Sequence, residues 1–333
     1  MTLKSGPVLQ ISEFDGTRPA TRNVAFGPAA EAEIDRLLAE PFGNWHVDTD
    51  VQTTQVRVTK RGEAQVFTGP PVAVTPAGDH DRAARHLLAP DDPLFDVVGG
   101  SAAKRRQVDA FLRALVATLG DADLPRPLRV VDLGCGNAYL TFAAYRYLSG
   151  LGHDVRVTGV DVRADQRARN AGIADRLGWS DGVRFVAGTI LDAPVDGADL
   201  VLALHACDTA TDEALARAVG WAARWVLAAP CCHHDIAAQL RRQAAPAPYE
   251  LLVRHGILRE RFADVLTDAL RAALLRLSGY RVDVVEFVDS AHTPRNLLLR
   301  AARTGSPPTA AQRTEYEQLI ALWGITPRLA TLL

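Results

Sequence analysis

Apolar and polar positions follow two different periods along the middle of the chain. Short apolar runs, typical of buried strands, occur at 129–133, 155–160, 183–187, 199–204 and 224–229. Apolar residues that recur every three to four positions predict helices at 139–149, 163–178, 209–220 and 233–243. The segment between the third and fourth strands is short for a parallel crossover, so we predict a turn there. This alternation predicts a doubly wound α/β fold with a mostly parallel sheet.

Beyond these units, the pattern changes from alternation to one long helix and two successive strands. The helix is predicted over 259–277 and is stopped by Gly279. Strands predicted at 281–288 and 296–302 follow each other directly and form a terminal β-hairpin. The sheet is therefore expected to have seven strands, with the hairpin at one edge.

The first hundred residues do not share this pattern. Residues 1–28 lack a clear period and are predicted to be irregular, whereas 29–38 has helical spacing. Alternating residues at 54–59 and 63–68 predict a hairpin, and 103–119 predicts a helix that packs against the main sheet. We divide the chain into a small N-terminal α+β appendage that could bind substrate (1–99), a main domain (100–303) and a C-terminal helical tail (304–333).

Composition narrows the class of protein. The net charge is −2, so there is no overall basic surface for nucleic acid, although the chain has 34 arginines and three lysines. No apolar run could span a bilayer, and the N-terminus lacks a signal-peptide pattern, which predicts a cytoplasmic protein without a membrane partner. The four cysteines follow no disulfide pattern.

The segment 129–139 contains the most informative motif, a strand that ends in a glycine turn before a helix. A dinucleotide-binding turn would have a third glycine where this chain has Tyr139. Instead, Asp132 precedes Gly134 and Gly136, and a carboxylate there suits a ligand with an ammonium group. Asp161 ends the next strand, where an acidic residue can accept both hydroxyls of a ribose. Ammonium and ribose together describe S-adenosylmethionine (SAM).

This ordered set resembles motif I and its acidic partner in the class I SAM-dependent methyltransferases, whose layout is five βα units and a terminal hairpin. The resemblance implies SAM as the cofactor. The methionine end would be held by Asp132, Gly134, Cys135, Gly136 and Asn137. The ribose would be held by Asp161, with the adenine flanked by Gly188, Thr189 and Ile190 and with His205 as a further cofactor contact.

The fourth strand ends in Leu-His-Ala-Cys-Asp-Thr-Ala-Thr-Asp (204–212). Polar groups at the carboxyl end of a parallel strand line the cleft, which makes His205 and Cys207 candidate site residues. We interpret Thr209, Thr211 and Asp212 as capping residues of the next helix.

The fifth strand ends in Pro-Cys-Cys-His-His (230–234), for which three interpretations are open. The cysteines could be buried small apolar residues, or they could join His205 or Cys207 in a metal site. In the third interpretation, which we favour, the stretch is catalytic. His233 or His234 is then the general base, followed by His205, and no metal is expected. Cys231 as a covalent nucleophile for C5 methylation of cytosine is an alternative.

These two stretches resemble the methyltransferase family that includes the glutathione S-transferase C-terminal-domain-containing protein. They are also similar to tRNA acceptor-stem ribose 2′-O-methyltransferases, which carry His-Leu-Cys-Gly-x-Ala-Thr-Asp and Cys-Cys-His-His. This resemblance implies RNA as the acceptor, with a ribose 2′-hydroxyl as one candidate. Asp208 stands where the tRNA enzymes have glycine, and the substrate contacts would be Asp208, Cys232, Arg295 and Asn296. A protein or small-molecule acceptor, or SAM binding without catalysis, are the rival hypotheses.

Two further sets of polar residues have ordinary interpretations as well. Asp264, Asp268 and Arg271 share one face of the long helix, as in a solvated ladder of ion pairs, and the family resemblance implies a role at the cleft as the alternative. The segment from His292 to Asn296 reads as a β-turn, and its alternative is a loop in which Arg295 meets a phosphate.

Overall fold

The structure is a computed structural model, and it describes residues 2–3, 6–14, 19–49, 51–59, 62–70, 86–204, 206–287 and 296–333. The chain forms two compact units, Met1–Arg85 and His86–Leu333. Residues 86–99, which the sequence grouped with the appendage, therefore belong to the second unit. Leu94 and Phe95 are buried in its core.

The first unit contains two antiparallel sheets and one helix. One sheet consists of β1 (Thr2–Leu3), β2 (Gly6–Phe14) and β3 (Pro19–Ala25). Helix α1 (Pro28–Leu38) follows, and the other sheet consists of β4 (Asn44–Asp48), β5 (Thr53–Val58) and β6 (Ala64–Gly69). The hairpin predicted from the alternating residues is confirmed as β5–β6. The irregular structure predicted for 1–28 is wrong, because β2 and β3 pair along their length.

The second unit is built on a seven-stranded sheet with helices on both faces. Its first elements are α2 (Pro93–Val98), α3 (Ala102–Leu119), β7 (Leu128–Leu133), α4 (Tyr139–Gly150), β8 (Val155–Asp161), α5 (Ala164–Arg176) and β9 (Val183–Ala187). They are followed by β10 (Leu200–Ala203), α6 (Thr209–Gly220), β11 (Trp225–Ala228), α7 (His234–Arg242), α8 (Glu250–Val253) and α9 (Gly256–Leu277). The last elements are β12 (Tyr280–Glu286), β13 (Leu297–Arg303), α10 (Ala310–Trp323) and a 3-10 turn (Leu329–Thr331).

The strand order of the sheet is β12-β13-β11-β10-β7-β8-β9. Strands β7 to β11 run parallel, and β13 pairs antiparallel with both β11 and β12. The predicted fold, with its terminal hairpin at one edge, is thus confirmed. Strand order reverses between β7 and β10, and a crevice outside the carboxyl ends of such strands is where open α/β sheets bind ligands.

The sheet is stable because both of its faces are covered. Successive residues of β7 point to opposite sides, so Val130 lies in one core cluster and Val131 in the other. Helices α3, α4 and α5 contribute Phe111, Phe142 and Ile173 to the first cluster. The second cluster is covered by α6, α7, α9 and α10. Strands buried on both faces read as continuous apolar runs, which is why the sequence located them so closely. Among the described residues, no helix has both the length and the apolarity needed to cross a membrane.

Candidate active site

The turn between β7 and α4 has the backbone shape that its glycines allow. Gly134 has φ 79° and Gly136 has φ 53°, in the region that side chains other than glycine rarely adopt. The backbone N–H groups of Gly134 and Cys135 both donate to the carbonyl oxygen of Val160, at 2.9 Å. A Cβ on Gly134 would lie 3.3 Å from the Cβ of Ala206. The turn is therefore fastened to β8 and packs closely against the segment after β10.

Asp161, at the end of β8, ties the same turn from the other side. Its Oδ2 accepts the Gly136 N–H at 3.0 Å, and its Oδ1 accepts the Arg163 N–H at 3.0 Å. The side chain is 12% exposed, and a carboxylate has lone pairs left for further donors. Asp161 can thus hold the turn and still accept hydroxyl groups from a ligand.

A cavity of about 420 Å³ lies against this turn, within the size range of small-molecule sites. It is lined by Gly134, Gly136, Asn137, Asp161, Val162, Arg163, Gly188, Ile190, Ala206, Cys207 and Ala210. Six of the residues that the sequence assigned to SAM binding therefore line one cavity, and Cys207 lines it with them. Thr189 is exposed and bonds to the carboxylate of Asp192 instead. A groove of similar volume at the opposite, amino-terminal edge of β7, β8 and β9 lacks the glycine turn.

Asp132 lies beneath the cavity and does not line it. Its side chain is 1% exposed, and Oδ2 accepts a hydrogen bond from the Thr141 hydroxyl. Within the described part of the chain, Oδ1 is a buried oxygen without a hydrogen-bond partner. Burial, together with the nearby charge of Asp161, raises the pKa of Asp132 to about 7. An unpartnered carboxylate oxygen under a glycine cradle fits a ligand that carries an ammonium group.

Cys135, also assigned to SAM, is a core residue. Its thiol is 1% exposed, and burial raises its pKa well above the usual range. Sequence reasoning missed Asn170, a buried residue of α5 whose amide donates to the Gly136 carbonyl at 2.8 Å. A single polar residue on the inner face of a helix was the available signal, since Ile173 and Ala174 share that face.

Three thiols meet at the rim of the cavity. Cys207 follows β10, and Cys231 and Cys232 follow β11, the neighbouring parallel strand. The Cys207 Sγ lies 3.0 Å from the Cys231 Sγ, which lies 3.7 Å from the Cys232 Sγ. Burial and the two adjacent thiols raise the pKa of Cys231 to about 12, so its surroundings disfavour a thiolate nucleophile.

Asp208 has an unusual backbone conformation, with φ 52° and ψ −126°. Positive φ is costly for a residue with a Cβ and must be stabilised by its surroundings. Here the Asp208 carboxylate accepts the Asp235 N–H at 3.1 Å, and its carbonyl accepts from Arg271 Nη2 at 2.7 Å. Glycine would adopt this backbone conformation without the cost that a Cβ imposes.

The two rim segments are joined to α9 by a buried network of charges. Arg271 is 2% exposed and donates to both oxygens of Asp212, at 3.0 and 2.7 Å, and to Asp268 at 3.2 Å. His233 is also 2% exposed, with Nε2 2.9 Å from Asp268 Oδ2 and Nδ1 3.2 Å from Asp264 Oδ1. The solvated ladder proposed for α9 is therefore wrong for Asp268 and Arg271.

The capping role predicted for the start of α6 is also wrong. Asp208 occupies the cap position without a side-chain cap hydrogen bond, and Asp212 instead binds Arg271. The Thr211 hydroxyl donates to the carbonyl of Ala206 at 2.6 Å, which closes the segment that packs on Gly134. The sequence does not distinguish these two roles, because a capping residue and an ion-pair partner of Arg271 can both be an acidic residue in the first helical turn.

The remaining candidate residues are distributed differently. His234, the first residue of α7, is exposed on the same edge of the sheet as the thiols. Asn296 donates to Glu286 at 2.6 Å across the terminal hairpin. His205 and Arg295 lie outside the described residues.

Comparison with known proteins also indicates a methyltransferase, which is the class of protein that the sheet and the cavity suggest. Residues 103–239, less than half of the chain, match the family model described as "Methyltransferase domain". The matched residues run from α3 into α7, which supports methyl transfer from SAM as the activity of this unit. The sheet has the seven strands and the terminal hairpin that the sequence predicted. No curated protein matches the chain.

Solved structures with a similar fold include methyltransferases for very different acceptors. One is geranyl diphosphate C-methyltransferase from Streptomyces coelicolor A3(2), 16% identical with a TM-score of 0.41 over 67% of this chain and 86% of that one. Another is a methyltransferase from Podospora anserina, 14% identical with a TM-score of 0.40 over 64% and 82%. A third is the m1A22 tRNA methyltransferase of B. subtilis, 13% identical with a TM-score of 0.37 over 58% and 66%. At these similarities, no acceptor carries over to this chain.

Proposed function

We propose that this methyltransferase acts on RNA, with a ribose 2′-hydroxyl as the acceptor and His234 as the general base. SAM would supply the electrophilic methyl group. The chain's task is then to align the hydroxyl with the methyl group and to take up the hydroxyl proton as the new bond forms. A neutral imidazole is the side chain best suited to accept a proton near pH 7.

The observation that carries this proposal is the contrast between the two adjacent histidines. His233 is buried, with a carboxylate near each ring nitrogen, so it stabilises the segment rather than meeting a substrate. His234 is exposed at the carboxyl end of β11, beside the strand whose end contributes Cys207 to the cavity. The exposed imidazole is the one that an incoming acceptor could reach.

We assign the SAM contacts to residues around the cavity. Gly134 and Gly136 would let the ligand approach the backbone, and the Asp161 carboxylate would accept the ribose hydroxyls. Asp132 would supply the negative charge for the ammonium group from below the turn. Gly188 and Ile190 would form the wall beside the adenine.

RNA as the acceptor is supported by the resemblance of 204–212 and 230–234 to the tRNA ribose 2′-O-methyltransferases. The positive φ of Asp208 supports this alignment, because those enzymes have glycine there. At the cavity, the Arg163 side chain is 55% exposed and its Nε lies 3.5 Å from Asp161 Oδ1, and the rest of this guanidinium suits a phosphate.

The test is single-turnover transfer from labelled SAM to total RNA from a strain that lacks the gene. Label should enter the RNA. If the RNA is digested with ribonuclease before the reaction, this incorporation should be abolished. His234→Ala should lower the transfer rate by about 100-fold or more, the usual scale for a general base, without weakening SAM binding. His233→Ala is the matched neighbour, and it should mainly lower the thermal stability.

Other outcomes would point elsewhere. If the His234→Ala variant transfers at the parent's rate, the base lies elsewhere and His205→Ala is the next variant. Label in protein or in small molecules but not in RNA would refute the RNA acceptor. A trapped covalent adduct with 5-fluorocytosine RNA would favour the Cys231 nucleophile, which the raised pKa of that thiol disfavours. SAM binding without any transfer would indicate a non-catalytic protein.

A further inference from the structure

We propose that Cys207, Cys231 and Cys232 bind a Zn²⁺ ion at the rim of the cavity. This site goes beyond methyl transfer and does not depend on the acceptor. The three Sγ atoms lie within 4.8 Å of one another, although they come from two segments that are 24 residues apart. From the sequence alone no metal is expected here, because adjacent cysteines are a weak zinc signal.

The spacing of the sulfur atoms is close to what tetrahedral zinc requires. With Zn–S bonds of about 2.3 Å, two sulfur ligands of a tetrahedral site are about 3.8 Å apart. The Cys231 and Cys232 sulfurs already match this value at 3.7 Å. The Cys207 sulfur, at 3.0 Å from that of Cys231, would have to move outward by less than about 1 Å. Cys207 is exposed, so its side chain has room for this change.

The fold also holds the three residues in place before any metal arrives. Residues of β10 and β11 pair in register from Leu200 with Trp225 to Ala203 with Ala228. The segments after these strands are linked by the hydrogen bond from the Asp235 N–H to Asp208. The two segments that carry the cysteines are thus held together before binding, so little conformational entropy would be lost when a metal binds.

Zinc is favoured over a disulfide by the number of thiols. Cys207 and Cys231 alone would be sufficient for a disulfide, whereas a third thiol at 3.7 Å adds a ligand that a thiophilic cation would use. With three protein ligands, the ion would have a fourth position for water, for the acceptor or for another side chain. Because Cys207 lines the cavity, that ion would lie at its wall.

The first experiment measures metal content. The full chain, purified under a phosphine reductant and without chelator, is incubated with Zn²⁺, dialysed and analysed by mass spectrometry of the metal. About one zinc per chain is expected. Cys207→Ser, an exposed position that should not affect folding, should lose most of the zinc. Cys135→Ala is the matched control, since this buried cysteine lies outside the cluster, and it should retain the parent's zinc.

The second experiment reports the ligands directly. Titration of the metal-free chain with Cd²⁺ should produce a thiolate-to-metal absorption band that saturates at about one equivalent and is displaced by Zn²⁺. The band should shrink in Cys207→Ser and in Cys232→Ser but not in Cys135→Ala. The proposal is refuted if the reduced parent binds neither metal, or if Cys207→Ser keeps the parent's zinc content. A Cys207–Cys231 disulfide that persists under the reductant would also overturn it. Neither readout requires methyl transfer.

Discussion

Replacement of Arg271 by methionine tests whether the buried charge network of α9 holds the active-site rim together. The guanidinium is bidentate to Asp212, contacts Asp268 and donates to the Asp208 carbonyl, so it joins α9 to the segment after β10. Burial disfavours its charge, but the hydrogen bond and charge of Asp212 and the charge of Asp268 outweigh this effect and raise the pKa of Arg271. The guanidinium is therefore charged in the folded protein.

The expected loss of stability is large, because methionine replaces the stem of the side chain but not its charge. Two buried carboxylates, 5% exposed in each residue, would be left without their cation. Loss of one partner from a buried ion pair costs about 3–5 kcal/mol, so we expect Arg271→Met to lower the free energy of unfolding by about 4 kcal/mol. Combining Arg271→Met with Asp212→Asn should recover part of this loss, because one uncompensated charge is removed with it.

Urea unfolding followed by tryptophan fluorescence is the assay. It reports mainly on the second unit, which contains four of the five tryptophans (Trp179, Trp221, Trp225 and Trp323). Arg276→Met is the matched control on the same helix, since Arg276 is exposed and bonds to the Val282 carbonyl at 3.0 Å. Its effect should stay within about 1 kcal/mol. If Arg271→Met costs no more than this control, the network does not hold the rim.

Two further predictions concern the glycine turn. Because the pKa of Asp132 is raised, the contribution of this residue to stability is fully present below the unfolded value near 4 and is lost as the pH rises towards 7. Urea midpoints across this range should therefore show Asp132→Asn gaining stability relative to the parent, by up to roughly 4 kcal/mol. A gain independent of pH would contradict the assigned shift. Gly134→Ala should lower stability by about 1–3 kcal/mol because of its positive φ and the close Ala206, whereas Gly172→Ala, inside α5 with open space around it, should not. Equal melting temperatures for these two variants would refute the steric argument.

The main sheet was predictable because its strands are buried on both faces. Runs such as Val130–Val131 leave a strong apolar signal, and the glycines after β7 mark the turn unambiguously. Strands β2 and β3 left no such signal, since polar residues such as Gln10 in β2 and Asn23 in β3 interrupt their apolar positions. A period can be read only where one face is consistently apolar.

The sequence predicted which residues surround the site, but it did not predict the contacts that buried residues near the site make. The residues around the cavity were located because strand ends meet at one edge of a parallel sheet. The burial of Arg271 and His233 was not, because it depends on how α9 packs across the segments after β10 and β11. Charged residues at helical spacing look the same in sequence whether they face solvent or a buried partner.

Calorimetry with SAM and with its demethylated product tests whether the cofactor binds in the cavity bounded by Gly134, Gly136 and Asp161. The parent should bind both ligands with micromolar affinity and should not bind NAD. Asp161→Asn should weaken both by about tenfold or more, since a hydrogen bond to a charged group contributes about 1.5–3 kcal/mol. Asp165→Asn, at an exposed carboxylate in the first turn of α5, should leave both affinities unchanged. Equal affinities for the parent and Asp161→Asn, or no binding of either ligand by the parent, would show that the cofactor does not bind in this cavity.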